Sequence, residues 1–162
     1  GQLPSMGDWA DHMTTNFPEV RLKKYLEMRG TDGGPWRNLC ALPALWVGLL
    51  YDPDSQSAAW DWIKDWTIEE QEILRNQVPQ EGLATSFRNT SVQEISKEIL
   101  AIASTGLKKR AKLDPSGNDE SGFLETLRDI ADRGRTPAEE LLDAFSGRWS
   151  GSVSPIYDEL QY

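Results

Sequence analysis

Val20-Arg21-Leu22-Lys23-Lys24-Tyr25-Leu26-Glu27-Met28-Arg29 carries more structural information than any other stretch of this 162-residue chain, because its two faces separate by chemistry. At the two-residue period of a strand, Val20, Leu22, Leu26 and Met28 point one way, with Lys24 the one polar intruder. Arg21, Lys23, Tyr25, Glu27 and Arg29 point the other way. A solvated sheet face ordinarily carries Thr, Ser and scattered charges. Three cations, a phenol and one carboxylate in unbroken alternation suit an anionic ligand, with the carboxylate available to a metal ion. Periodicity alone is equally met by a half-exposed antiparallel strand with a charged outer side.

Working outward, Gly30-Thr31-Asp32-Gly33-Gly34-Pro35-Trp36 is a turn-rich loop, and residues 38–51 then read as a helix. That helix is apolar nearly all round, so burial on most sides is expected, notably against the apolar side of the strand. Pro43 is expected within its first turns, where a missing amide is best tolerated. Upstream, residues 8–16 read as a short helix with Trp9, His12 and Met13 on one side.

The rest of the chain reads as helices with strong local signals. Residues 55–66 form one, whose Trp60, Trp62, Ile63 and Trp66 suit packing between helices or a ligand cage. Thr67-Ile68-Glu69-Glu70 is a capping box opening the next, which should end near Pro79. Residues 80–89 read as a turn and a short extended piece. Ser91-Val92-Gln93-Glu94 opens the longest helix, in which Val92, Ile95, Ile99 and Ile102 recur at helical spacing. Lys108, Lys109, Arg110 and Lys112 close it, either complementing the helix dipole or holding phosphate. A polar loop over 114–122 precedes a helix over 123–133, stopped by Gly134. Thr136-Pro137-Ala138-Glu139 then starts the last helix with cap, Pro and reciprocal Glu together. The expected fold is α+β: one long antiparallel-sheet strand, with at most a short partner strand, followed by a mainly helical layer of five to six helices.

Composition narrows the function classes. The formal charge of −9 argues against broad nucleic-acid binding and against an anionic membrane surface. One cysteine, Cys40, excludes an internal disulfide framework and a cysteine-rich zinc site, and its place in an apolar helix predicts a buried structural thiol. The single His12 offers no histidine cluster. Asn89-Thr90-Ser91 fits the N-glycosylation pattern, which is common by chance. With no membrane-length apolar run and no charged leader, a cytoplasmic protein is the expectation.

Residues 25–37, Tyr25-Leu26-Glu27-Met28-Arg29-Gly30-Thr31-Asp32-Gly33-Gly34-Pro35-Trp36-Arg37, resemble the plant and proteobacterial type of glutamate–cysteine ligase. The likeness continues through Ala41-Leu42-Pro43-Ala44-Leu45-Trp46-Val47-Gly48-Leu49-Leu50-Tyr51-Asp52 and Asp65-Trp66-Thr67. It closes on Thr136-Pro137-Ala138-Glu139-Glu140-Leu141-Leu142 and Gly151-Ser152-Val153-Ser154-Pro155-Ile156-Tyr157. The resemblance implies the C-terminal part of a glutamine-synthetase-like fold, with residues 1–162 forming a single C-terminal segment of a larger catalytic domain. The opening Gly1-Gln2-Leu3-Pro4, without an initiator Met, suits such a fragment. Plant members of the family are regulated by disulfides, and a lone Cys40 cannot form one within this chain.

The activity implied is ATP-dependent ligation of the L-glutamate γ-carboxyl to L-cysteine through a γ-glutamyl phosphate, the first step of glutathione biosynthesis, with Mg2+ required. Several phosphate oxygens and a carboxylate must then meet at close range, and metal ions and cationic side chains lower that barrier by neutralising charge in place. Carried over by the resemblance, Glu27 would hold a magnesium ion and Arg29 would stabilise the transferring phosphoryl group or bind a substrate. Tyr25 and Arg21 would line the amino-acid pocket, while Asp32 shapes the turn. The partners implied are L-glutamate, L-cysteine, ATP and the remainder of the ligase chain, with no nucleic acid and no membrane. The isolated segment is expected to be inactive. The alternative is a non-catalytic binding or regulatory module of the same fold.

Overall fold

A computed structural model describes residues 3–161. The chain divides into two compact units, one reaching to Gly33 and one from Gly34 onward. The elements are α+β, mainly helical, with two small antiparallel sheets.

In the first unit, α1 (Met6–Thr14) starts on a capping box in which Ser5 and Asp8 satisfy each other's free donors. None of its residues is buried. The expected long strand is instead a hairpin of β1 (Val20–Leu22) and β2 (Leu26–Met28), paired Val20 to Met28, Arg21 to Glu27 and Leu22 to Leu26. The chain reverses over Lys23-Lys24-Tyr25, where the Lys23 N–H donates to the Tyr25 carbonyl at 2.9 Å. Arg29 N–H extends the ladder onto the Glu19 carbonyl at 2.8 Å. The expectation that Val20, Leu22, Leu26 and Met28 are buried also fails. Leu22 keeps 80% of its surface, Val20 and Leu26 are exposed as well, and Met28 is half-covered. One short helix and two short strands cannot bury both faces of a hairpin.

The second unit is built on α2 (Trp36–Leu50) and α5 (Val92–Arg110), flanked by α3 (Pro53–Ile63) and α6 (Glu125–Arg133). Ala44 and Leu49 of α2 meet Leu100, Ala103 and Leu107 of α5, with Leu124 and Ala131 completing the core. Two glycines set how closely α2 and α5 approach. A Cβ built on Gly48 would lie 2.3 Å from the Ala103 carbonyl oxygen, and one on Gly106 would lie 2.0 Å from the Gly48 carbonyl oxygen. Each glycine therefore turns a Cα hydrogen onto a backbone carbonyl, a weak Cα–H···O contact available to no other residue. Pro43 sits deep inside α2 rather than in its opening turn, because the helix begins at Trp36. Burial of α2 is one-sided as well: Ala41, Ala44, Gly48 and Leu49 are buried, while Trp36, Leu39 and Leu50 remain exposed.

The cap signals hold. Thr67 and Glu70 close a capping box on α4 (Ile68–Glu81); at the start of α5 the expected capping box forms by half, Ser91 accepting the Glu94 N–H without the reciprocal bond from the Ser91 N–H to Glu94. Thr136 and Glu139 close another on α7 (Pro137–Ser146), with Pro137 in the first turn. Such caps contribute about 1 kcal/mol each. α4 ends at Glu81, two residues past Pro79 and near the expected end, with Gly82 as its C-cap. A second hairpin, β3 (Ser86–Phe87) with β4 (Thr90–Ser91), turns through Arg88, whose φ of 51° is held by a forked ion pair to Glu70. A 3-10 turn over Glu120–Leu124 leads into α6, which Gly134 stops in the left-handed conformation. The structure adds α8 (Ile156–Glu159), unforeseen because Ser152 to Pro155 reads as loop; Glu159 accepts the Trp149 indole N–H at 2.7 Å. Eight α-helices are formed among the described residues, against five to six expected.

Candidate functional site

Hairpin pairing keeps Arg21, Glu27 and Arg29 of the charged face together, although the topology differs from the expectation and Lys23 and Tyr25 fall in the reversal. Paired residues in β1 and β2 have sequence numbers of equal parity, so Arg21 and Glu27 share a face, and Leu22 and Leu26 share the other. Arg21 Nε donates to Glu27 Oε2 at 2.7 Å across the strands. Arg29, one pleat along β2, brings its Nε to 3.6 Å from the same oxygen. Opposite charges facing each other in a hairpin contribute roughly 0.2–1 kcal/mol.

The guanidinium of Arg29 lies 5.4 Å above the Phe17 ring, a cation–π seat that fixes its plane. Its Nη1 is buried and meets no acceptor. A buried donor left unpaired costs about 1–3 kcal/mol, so Arg29 is held short of its hydrogen-bonding capacity. Glu27 has its carboxyl lowered below the usual range, chiefly by the hydrogen bond from Arg21, with the charges of Arg21, Lys23 and Arg29 adding to it. Tyr25 stands at the reversal, 61% exposed.

The candidate site residues Arg21, Glu27 and Arg29 are thus brought together, and Tyr25 is beside them in sequence without touching the pair. Three cations surround Glu27, and Glu19, whose carbonyl accepts the Arg29 N–H, continues the cross-strand register on the same side. Magnesium asks for several oxygen ligands in octahedral array. Among the described residues no group of three or more His, Cys, Asp or Glu side chains is gathered, and the Glu27 carboxylate is already engaged by two arginines. The donor set fits an oxyanion and does not by itself fit magnesium. Phe17, which seats Arg29, was not singled out from sequence; an aromatic just ahead of the strand was the available signal.

Other sequence candidates resolve as structure. In the basic cluster, Lys109 pairs with Asp54 at 2.5 Å and Asp52 at 3.4 Å, and Arg110 with Glu120 at 2.5 Å. Those cations are spent on tying α5 to its neighbours. Trp66, in the connection after α3, packs on Phe87 of β3 with ring centroids 4.7 Å apart, a contact of loop with strand and not of helix with helix, and Trp60 is exposed. Cys40 is a free thiol and half-covered, less buried than expected. No helix of the described residues is long and apolar enough to cross a membrane.

Comparison with known proteins bears on the whole chain. The profile described as Glutamate-cysteine ligase family 2 (GCS2) matches residues 2–159. The chain belongs to glutamate–cysteine ligase family 2. Relatives in this family include the chloroplastic glutamate–cysteine ligase of Arabidopsis thaliana, 52% identical over all of this chain and 30% of its own length. The Medicago truncatula enzyme is 51% identical over 31% of its length, and glutamate–cysteine ligase A of Oryza sativa subsp. indica is 51% identical over 32%. This family member therefore spans about 30% of the length of the curated relatives it matches. Those relatives are named chloroplastic, which overturns the cytoplasmic expectation and points to the plastid.

Proposed function

We propose that this chain supplies part of the active site of an ATP-dependent glutamate–cysteine ligase, its charged hairpin face binding an anionic group of the reactants. In the reaction, a γ-carboxylate oxygen of L-glutamate attacks the terminal phosphorus of ATP, releasing ADP and leaving a γ-glutamyl phosphate. The amine of L-cysteine then attacks the acyl carbon, inorganic phosphate departs, and the amine proton is lost as the amide forms. Both steps crowd negative oxygens together, and fixed cations lower such barriers without reorganising.

The observation that carries the reading is the convergence of Arg21 and Arg29 on one oxygen of Glu27, with a donor of Arg29 still unpaired. A guanidinium offers a planar fork matched to carboxylate and phosphoryl oxygens. Arg29 is assigned to the transferring phosphoryl group or a substrate carboxylate, and Arg21 with Tyr25 to the amino-acid substrate. Magnesium, brought by ATP, would offset phosphate charge and would need oxygen ligands besides those of this hairpin. The role that the resemblance implies for Glu27, holding that ion, requires its carboxylate to leave Arg21 first. A cupped, glutamine-synthetase-like sheet belongs to the same proposal, with the hairpin joining strands that the rest of the ligase provides.

The test places this chain in the Arabidopsis thaliana ligase in exchange for its matching segment. The chimera should form γ-glutamylcysteine, and Arg29→Gln should cut its turnover on the order of 10²–10³. A folded chimera without product refutes the ligase reading. Near-normal turnover of Arg29→Gln removes the hairpin from the site.

A further inference from the structure

Residues 29–35, between β2 and α2, form neither helix, strand nor turn. The Arg29 N–H bonded to Glu19 closes the hairpin ladder, and the next backbone bonds along the chain run from the Asn38 and Leu39 N–H groups to the Pro35 carbonyl. Between those anchors no backbone hydrogen bond is formed among the described residues, and the boundary of the two compact units falls there, after Gly33. Asp32 and Gly33 are both exposed. The Asp32 carboxylate, expected to shape the turn, takes part in no hydrogen bond or ion pair among the described residues. A Cβ built on Gly33 meets nothing within 4 Å. The sequence holds no second Asp or Asn ahead of a glycine. Several other aspartates are tied down. Asp8, Asp52 and Asp119 accept main-chain N–H groups at helix starts, and Asp54 lies in α3 paired with Lys109. Asp114 precedes Pro115, which has no amide hydrogen.

We propose that Asp32-Gly33 is a site of spontaneous covalent modification, where aspartate isomerises to isoaspartate and re-routes the main chain between the hairpin and α2. The Gly33 amide nitrogen attacks the Asp32 carboxyl carbon. A C–N bond forms, the nitrogen gives up its proton, and the carboxyl hydroxyl leaves as water, closing a five-membered succinimide. Water then adds to one of the two ring carbonyls. Opening at the side-chain carbonyl restores aspartate. Opening at the main-chain carbonyl leaves the chain running through the Asp32 Cβ, with the former α-carboxyl free. The water lost is regained, so no oxidant, reductant or enzyme takes part. Glycine favours closure because it leaves the attacking nitrogen unshielded and lets the backbone turn without a Cβ penalty. A loop without hydrogen bonds samples the closing geometry at little cost, whereas a helical or capping aspartate must first open locally. The isomer adds one atom to a main chain anchored at Arg29 and Pro35, so the extra length is taken up within residues 30–34. The site stands on this loop alone and is independent of the ligase reading.

The experiment ages the full 162-residue chain at physiological temperature and neutral pH, folded in buffer and unfolded in guanidinium chloride, with samples taken over weeks. Peptide mapping with electron-based fragmentation locates isoaspartate. Methyl transfer from labelled S-adenosylmethionine by an isoaspartyl methyltransferase counts it. In the folded chain, isoaspartate should accumulate at residue 32 at no less than about a third of the unfolded rate, because the fold leaves this loop unrestrained. At Asp54-Ser55 it should appear in the unfolded chain only. A folded rate at residue 32 below about a third of the unfolded one overturns the proposal, since the fold then protects the site. Absence of the isomer at residue 32 from both samples overturns it as well. Equal accumulation at Asp54 in the two samples would show that hydrogen bonding gives no protection, and refutes the structural basis. Gly33→Ala has room for its methyl and a φ outside the left-handed region, and it should slow accumulation about fivefold. An unchanged rate in that variant refutes closure through the Gly33 amide. Asp32→Glu, which would have to close a six-membered ring, should lose most of the methyl transfer. Transfer persisting there at the wild-type level places the modification elsewhere and overturns the proposal.

Discussion

Gly106→Ala at the crossing of α2 and α5 tests the packing that holds the second unit. Two effects oppose each other. In a helix interior alanine is better than glycine by about 1 kcal/mol, so propensity alone would stabilise the variant. The new methyl, however, would sit 2.0 Å from the Gly48 carbonyl oxygen and 2.9 Å from Ser55 Oγ. The Ser55 hydroxyl can rotate away from its bonds to Asp52 and the Ile102 carbonyl, but the Gly48 carbonyl is helical backbone and cannot. Relieving a contact about 1.2 Å inside the ordinary C···O limit means pushing the helices apart, and overpacking a close-packed core costs about 1–3 kcal/mol or more. Separation would also loosen Ala103 and Leu107, which are fully buried in the same seam. With the overpacking cost near its upper figure of about 3 kcal/mol and the propensity gain of about 1 kcal/mol set against it, the expected net change is destabilisation of about 2 kcal/mol, read as a lower urea midpoint at unchanged slope. An unchanged or higher midpoint would show that the two helices do not meet at the glycines, and the account of this core would be wrong.

Further outcomes follow from single contacts. Glu70 has its carboxyl pulled from the ordinary 4.5 down to about 2, first by the hydrogen bonds from Arg88 and then by the Thr67 N–H. Its folded value lies below its unfolded one, so its contribution is complete above about 4.5 and is lost as pH falls toward 2; Glu70→Gln should flatten the acid limb of a stability–pH curve in that window, and an unchanged limb would refute the pairing. Thr136→Ala removes the cap that accepts the Glu139 N–H and should lower stability by about 1 kcal/mol in thermal unfolding, with Thr136→Ser recovering most of it. The purified 162-residue chain should form no γ-glutamylcysteine from glutamate, cysteine and ATP; ATP-dependent product, with contaminating ligase excluded, would overturn the assignment of the remaining machinery to other segments.

What could be read from the sequence was whatever a few neighbouring residues determine. The capping boxes at Thr67 and Thr136 and the stop at Gly134 each depend on atoms within four positions, and they appear where expected. The split between charged and apolar faces at 20–29 was legible for the same reason. The reversal inside that stretch was not, because Lys23-Lys24-Tyr25 contains none of the Gly, Pro, Asn or Asp residues that announce a turn. Seating of Arg29 on Phe17 and pairing of Arg88 with Glu70 join residues far apart in sequence, and local patterns say nothing about them. Burial of the apolar hairpin face was misjudged because periodicity reports which side chains share a face, never what lies opposite it. Family membership came through because the matching residues are spread along the whole chain, not gathered in one short motif.

The reversal at Lys23-Lys24-Tyr25 makes the chemistry of the hairpin depend on a length more than on a composition. Lys24 at its tip could be exchanged for most residues without altering which side chains face Glu27. Adding or deleting one residue there is a different event, since every cross-strand partner then changes parity and Arg21 comes opposite an apolar neighbour instead of Glu27. A frame-preserving codon insertion, ordinarily among the mildest changes a surface loop can receive, would here separate the two arginines more thoroughly than replacing either one. Among sequences descended from this one, Lys24 should therefore tolerate substitution freely, while the spacing between Arg21 and Glu27 should tolerate insertion hardly at all.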